Sequence, residues 1–174
     1  MSENTEIKIR DLEAKLKNLE ERNLVLADIE AIKNLKSMYF YLADTAIRSG
    51  DVSKWDDLMN HFTEDATCEW TGLGRYEGKE ACTGFFRGFN DMASFSIHTG
   101  HNAIVKVDGD KAKGNWYLHV SLTMKKENLA TWIAGYYEDV FQKVNGLWKF
   151  KEIKGEFYYW TPFEDGWVKR QFMF

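Results

Sequence analysis

The segment FSIHTGHN, residues 95–102, holds two of the chain's four histidines, His98 and His101, three positions apart at the start of a stretch with strand character. Imidazoles so placed suit three tasks: holding a metal, taking a proton, or packing as ordinary polar residues. A histidine with an unperturbed pKa of about 6.5 exchanges protons readily at neutral pH. On a regular strand, residues three apart point to opposite faces, so the two rings share a site only if Gly100 forms a bulge. Zinc sites need three or four protein ligands, and no third ligand lies at a matching spacing, so no metal is expected. Of the other histidines, His61 reads as a cap or surface residue after a short helix. His119 belongs to a polar strand face shared with Tyr117, Ser121 and Thr123.

The elements that must position these residues follow from periodicity. Residues 1–26 are highly charged with a narrow seam of Ile9, Leu12, Leu16, Leu19, Asn23 and Leu26, spaced as in a heptad repeat. So thin a stripe suits contact with a partner or another subunit rather than core filling. A second helix is expected over 28–48, capped by Asp28, with Ile29, Ile32, Leu35, Tyr39, Leu42, Ala43 and Ala46 on one broad face. A short helix over 53–61 turns Trp55, Leu58 and Met59 inward. A strand, a short strand and a helix over 78–90 come next. Beyond them the pattern alternates. Residues 103–124 read as a hairpin about the DGD turn, with Trp116, Leu118, Val120 and Leu122 on one face. Residues 131–160 read as a second long hairpin about the NG turn at 145–146. Helices followed by an antiparallel sheet make an α+β fold: a curved sheet wrapped around helices, enclosing a pocket.

Composition narrows the function. The 174 residues suffice for one domain, and seven Trp, eight Tyr and twelve Phe suit an aromatic-lined cavity or a bulky core with a subunit interface. A net charge of −4 gives no footprint for nucleic acid. No apolar run reaches membrane-spanning length and the N-terminus has no signal-peptide pattern, so a cytoplasmic protein without membrane contact is expected. Cys68 and Cys82 show no metal-ligand spacing and read as reduced thiols.

The order of elements, with WDDLMNHFTEDATCEW, IHTGH and NGLWKF, resembles the SnoaL-like branch of the nuclear transport factor 2-like superfamily over about residues 27–165. Within it the likeness is to bile acid 7α-dehydratases (DIEAIKNLKSMYF, HTGH, GNWYL) and to hexachlorocyclohexane dehydrochlorinases (EWTGLGRYEG, DGDK, YYWTPF), and more distantly to scytalone dehydratases. The resemblance implies a cone-shaped α+β barrel over 27–174 with an extra helix before it. It implies a catalytic dyad of His98 as base and Asp44 as its orienting partner. Tyr39 falls on the catalytic tyrosine of the bile acid enzymes, where the dehydrochlorinases have a lysine, and Trp70 falls on a pocket tyrosine. Two positions depart: Val120 stands where the bile acid enzymes have a second acid, and Phe157 where they have an arginine.

On helical geometry alone, Asp44 sits about 120° from the centre of the apolar face, a rim position. The pocket is expected to be lined by Trp70, Phe85, Phe89, Trp116, Leu118 and Val120, which suits a hydrophobic polycyclic or aromatic substrate. The expected activity is a cofactor-independent lyase, a dehydratase or related elimination. An isomerase or polyketide cyclase, or a non-catalytic binding or assembly domain, are the alternatives. A homo-oligomer is expected, a trimer rather than a dimer by the dehydratase likeness.

Overall fold

The computed structural model describes residues 3–173. A single helix, α1, runs from Glu3–Ser49, where two had been expected. No Gly or Pro interrupts residues 3–49, so nothing in the backbone forces a break at 27–28. Asp28 therefore lies mid-helix and caps nothing. Its carboxylate instead accepts hydrogen bonds from Lys143 Nζ and Trp148 Nε1, each at 2.8 Å. Burial raises the Asp28 pKa, but these partners together outweigh it and leave the group below its ordinary value.

The remaining elements are α2 (Lys54–Met59), β1 (Phe62–Trp70), β2 (Gly74–Glu77), α3 (Lys79–Met92), β3 (Ala93–Asp108), β4 (Lys111–Met124), β5 (Leu129–Val144), β6 (Leu147–Pro162) and α4 (Gly166–Lys169). One sheet of six strands is ordered β2-β1-β6-β5-β4-β3. It is antiparallel except where β1 runs parallel to β6, a pairing that the alternation pattern alone could not show. The β5–β6 turn uses Asn145 (φ 53°) and Gly146 (φ 79°), the left-handed pair that a two-residue hairpin turn requires.

The sheet curls around α1, α2 and α3 without closing. Its inner face carries Trp116, Leu118, Val120 and Leu122 from β4, with Ile133, Tyr137 and Phe141 from β5; all are buried. Trp55, Leu58 and Met59 of α2 are buried too, as their spacing implied. Trp55 Nε1 donates to Asn90 Oδ1 at 2.6 Å, and Asn90 Nδ2 donates to the carbonyl of Ala46 at 3.1 Å. This chain of bonds ties α2 and α3 to the C-terminal end of α1, the end that carries Asp44. No helix among the described residues is long and apolar enough to cross a membrane.

Candidate active site

Asp44 and His98 meet where α1 crosses β3. His98 Nδ1 lies 2.6 Å from Asp44 Oδ1, the His98 backbone N–H donates to Asp44 Oδ2 at 2.9 Å, and Ser96 Oγ donates to Asp44 Oδ1 at 2.6 Å. Asp44 is 8% exposed, deeper than its helical angle suggested, because the edge strand β3 folds over that flank of α1. Gly100 permits this close approach. A Cβ there would stand 2.5 Å from Phe40 Cε2, so any larger residue would displace the Phe40 ring, which stacks on His98, or the helix that carries it one turn before Asp44.

Burial raises the Asp44 pKa. The hydrogen bond and charge of His98, the Ser96 hydroxyl and the His98 N–H together outweigh it and hold the carboxyl below its ordinary value. An ionised carboxylate only accepts, so Nδ1 of neutral His98 carries the proton and Nε2 is the free basic nitrogen. The ring is further fixed by stacking on Phe40, with centroids 5.9 Å apart and planes 11° off parallel.

His98 pairs across the ladder with Val120, which places its ring on the inner face of the sheet. It borders an apolar cavity of about 40 Å³ that also touches Tyr39, Trp70, Phe89, Leu118, Val120 and Trp160. On its other side, with Phe40, Tyr41 and Gly100, the ring borders an open depression of about 410 Å³. His101 pairs with Tyr117 on the outer face, remote from the cavity. There is no bulge at Gly100; the register shift comes after His101, where Asn102 has φ 53°. Only His98 reaches the apolar cavity, although both histidines border the open depression. His119, also outside, stacks edge-on against His101 and Trp132, with Nε2 3.3 Å from the Tyr159 hydroxyl. Among the described residues no cluster of three His, Cys, Asp or Glu side chains could hold a metal.

Tyr39 is buried, its ring edge-on to that of Tyr137 with centroids 6.2 Å apart. Burial first, then the neighbouring Tyr137, pushes the Tyr39 phenol well above its ordinary pKa, so it stays a donor at neutral pH. Of the six residues expected to line the pocket, Trp70, Phe89, Leu118 and Val120 do so. Phe85 and Trp116 do not line it. Phe85 is sandwiched between Trp70 (centroids 4.8 Å) and Tyr76 (4.4 Å), on the outer flank of α3. Trp116 faces inward, as alternation requires, but sits nearer the β-hairpin tips, against Phe141 at 5.9 Å. Alternation fixes a residue's face, not its height along the strand.

The sequence reading passed over three inward-facing residues. Ser96 lies two before His98 and so shares its face, a signal that was legible. Lys36 and Asp139 form an ion pair at 2.7 Å with side chains 1% and 0% exposed. The Lys36 ammonium lies 3.4 Å from the centroid of Tyr137 and 4.6 Å from that of Tyr39. Lys36 falls four residues after Ile32 and three before Tyr39, and Asp139 falls two after Tyr137. Both were therefore readable as charges on buried faces. Burial lowers the Lys36 pKa against the pull of Asp139, and it raises Asp139 to about 6 against the pull of Lys36.

Several solved structures share this arrangement of elements. A scytalone dehydratase-like protein from Novosphingobium aromaticivorans superposes with a TM-score of 0.70 at 22% identity, over 79% of this chain and 89% of that one. A type 2 hexachlorocyclohexane dehydrochlorinase, LinA, gives 0.67 at 25% identity over 79% and 89%. A nuclear transport factor 2-like protein with a cystatin-like fold from N. aromaticivorans gives 0.65 at 23% identity over 82% and 89%. A SnoaL-like domain model matches residues 25–154, from the last turns of the exposed arm of α1 to the middle of β6. With the curved, unclosed sheet and its helices already in view, that match settles the family: the chain belongs to the SnoaL-like domains of the nuclear transport factor 2-like superfamily.

Proposed function

We propose that the protein is a cofactor-independent lyase that eliminates a small leaving group from a hydrophobic substrate, with His98 as base. The observation that carries this reading is the 2.6 Å contact from Asp44 to His98 Nδ1 at the wall of an apolar cavity. Asp44 fixes the tautomer, and Nε2 takes a proton from a carbon next to the one bearing the leaving group. The C–H electron pair becomes the new π bond as the leaving group departs with its own pair. Asp44 stabilises the imidazolium that forms. Tyr39 donates a hydrogen bond to charge developing on the substrate. The structural likeness to a dehydrochlorinase supports this class of reaction.

The residue paired with His98 is Val120, and Phe157 also lines the cavity. No second acid faces the base there, so the leaving group is one that departs as a stable anion, or one that regains the proton held by His98. The same opening step would serve an isomerase or cyclase. The apolar residue opposite His98 also favours a second reading, a domain that binds a hydrophobic molecule without turnover.

Incubating the protein with a panel of halogenated and β-hydroxylated alicyclic and aromatic compounds, followed by mass spectrometry, separates these readings. Loss of HX or water marks the lyase, a product of unchanged mass the isomerase or cyclase, and retention of unaltered compound the binding domain. A folded His98→Ala protein that turned over a substrate at the wild-type rate would refute the mechanism.

A further inference from the structure

The first half of α1 leaves the domain. Residues 4–27 are all exposed, a rod of about 36 Å at 1.5 Å per residue. Its seam of Ile9, Leu12, Leu16, Leu19 and Leu26 is 39–63% exposed and covered by nothing in this chain. The flanks of that seam say what covers it. With Ile9, Leu16 and Asn23 at heptad position a, and Leu12, Leu19 and Leu26 at d, the e positions are Glu6, Glu13 and Glu20. The g positions are Lys8, Lys15 and Arg22. Up to Arg22 one flank is wholly acidic and the other wholly basic; the e position after Leu26 is Ala27.

We propose that this arm forms a parallel, in-register, two-stranded coiled coil with a second copy of the same chain. In a parallel pair each g residue faces the e residue five positions on in its partner. Lys8 then meets Glu13, and Lys15 meets Glu20, twice over by symmetry. An antiparallel pair sets e against e and g against g, which opposes glutamate to glutamate and lysine to lysine. The sign pattern therefore selects self-association and its direction together. A β-branched Ile9 at a, leucine at every d and a single Asn at a favour two strands over three. Asn23 pairs with its own symmetry mate only when the chains are in register.

Two further features support the arrangement. A coiled coil of under three heptads is marginal by itself because helix nucleation is costly, but here the nucleus exists: the same helix continues to Ser49 and docks in the domain. By the 100° helical step, the seam near Asn23 and Leu26 points about 165° away from the face that Ile32, Leu35, Tyr39 and Ala43 bury. Two arms can therefore zip together with both domains on the outside.

Light scattering on the full chain at about 20 µM tests this. The expected mass is an even number of copies. It should halve in K8E/K15E and in E13K/E20K, where the two flanks of each arm carry one sign. Mixing the two variants should restore the wild-type mass, a rescue that a folding defect could not give. Direction is read from oxidation: Leu12→Cys should give a covalent dimer and Ala14→Cys, on the outer surface, should not. The native Cys68 and Cys82 are 0% exposed and do not interfere. A single-chain mass for the wild type, a mass that ignores the charge variants, or equal cross-linking at 12 and 14 would overturn the proposal.

Discussion

Two carboxylates in this molecule hold a cationic or basic partner across the same helix–sheet interface, and their surroundings could hardly differ more. Asp44 projects from α1 to His98 on β3; Asp139 projects from β5 back to Lys36 on α1. Asp44 takes three hydrogen bonds from groups on β3, and its partner's ring lines a cavity. Asp139 and Lys36 are sealed among the rings of Tyr39, Phe40, Trp116, Tyr137 and Phe150. The first pair has a free nitrogen and a face toward a ligand. The second has neither, and its cost of desolvation is offset by the pair's own attraction, the aromatic rings around the Lys36 ammonium and the backbone N–H of Lys154. The contrast shows why a buried charge is weak evidence of catalysis until a route from it to a substrate is found.

The same substitution at both carboxylates sharpens the contrast. Asp44→Asn presents an amide N–H to His98 Nδ1, forcing the proton onto Nε2 and leaving no base. Turnover should fall about 10³–10⁴-fold with far less loss of stability, read from initial rates beside a thermal melt. Asp139→Asn should do the reverse. It strands the Lys36 ammonium, costs about 3–5 kcal/mol in urea unfolding, and leaves the turnover of the folded fraction near wild type. Replacing both partners, Lys36→Met with Asp139→Leu, should recover most of that loss. A catalytic Asp139 would break the comparison: the double variant would then be stable and inactive.

Gly100→Ala should have a smaller effect, about 1–3 kcal/mol of overpacking against Phe40. It should lower turnover more than that strain alone would, because the displaced Phe40 ring stacks on His98 and sits one turn before Asp44. A crystal structure of the variant would show the Asp44–His98 contact lengthened. The smallest effect is a pH slope. Asp139 is raised to about 6 when folded, so the native state holds its proton more tightly than the unfolded chain, where an aspartate titrates at about 3.9. That contribution is full below about 3.9 and is lost as pH rises through about 6. Asp44 is lowered, so its contribution is full above about 3.9 and is lost as pH falls through its folded value. Urea unfolding between pH 4 and 7 should show the falling contribution in wild type and its absence in Asp139→Asn.

The hairpins were legible because alternation and turn residues are local signals; Asn145 and Gly146 announce their turn without any tertiary context. The continuity of α1 was not, because Asp28 has the chemistry of a cap. Only Lys143 and Trp148, more than a hundred positions on, give its carboxylate another use. His98 and Asp44 lie 54 positions apart, and their juxtaposition came from likeness to a family rather than from spacing. Trp116 and Phe85 show the limit of pattern: period tells which way a side chain points, but depth along a curved sheet depends on how the strands coil. Lys36 and Asp139 were available to period alone, and were hidden by the habit of assigning charged residues to the surface.

The small free volume of the cavity beside His98 sets a condition on anything that binds there. At about 40 Å³ it is smaller than a ring, so a ring-sized ligand needs its lining, whose less buried members include Leu73, Phe89 and His98, to move apart. A ligand's measured dissociation constant is then its intrinsic value divided by the fraction of molecules already open. Association rates would level off with rising ligand concentration at the rate of opening, a ceiling that belongs to the protein and is the same for every ligand. Trimming Phe89 would raise that ceiling for all of them alike, while leaving their ranking to the shape of the opened space.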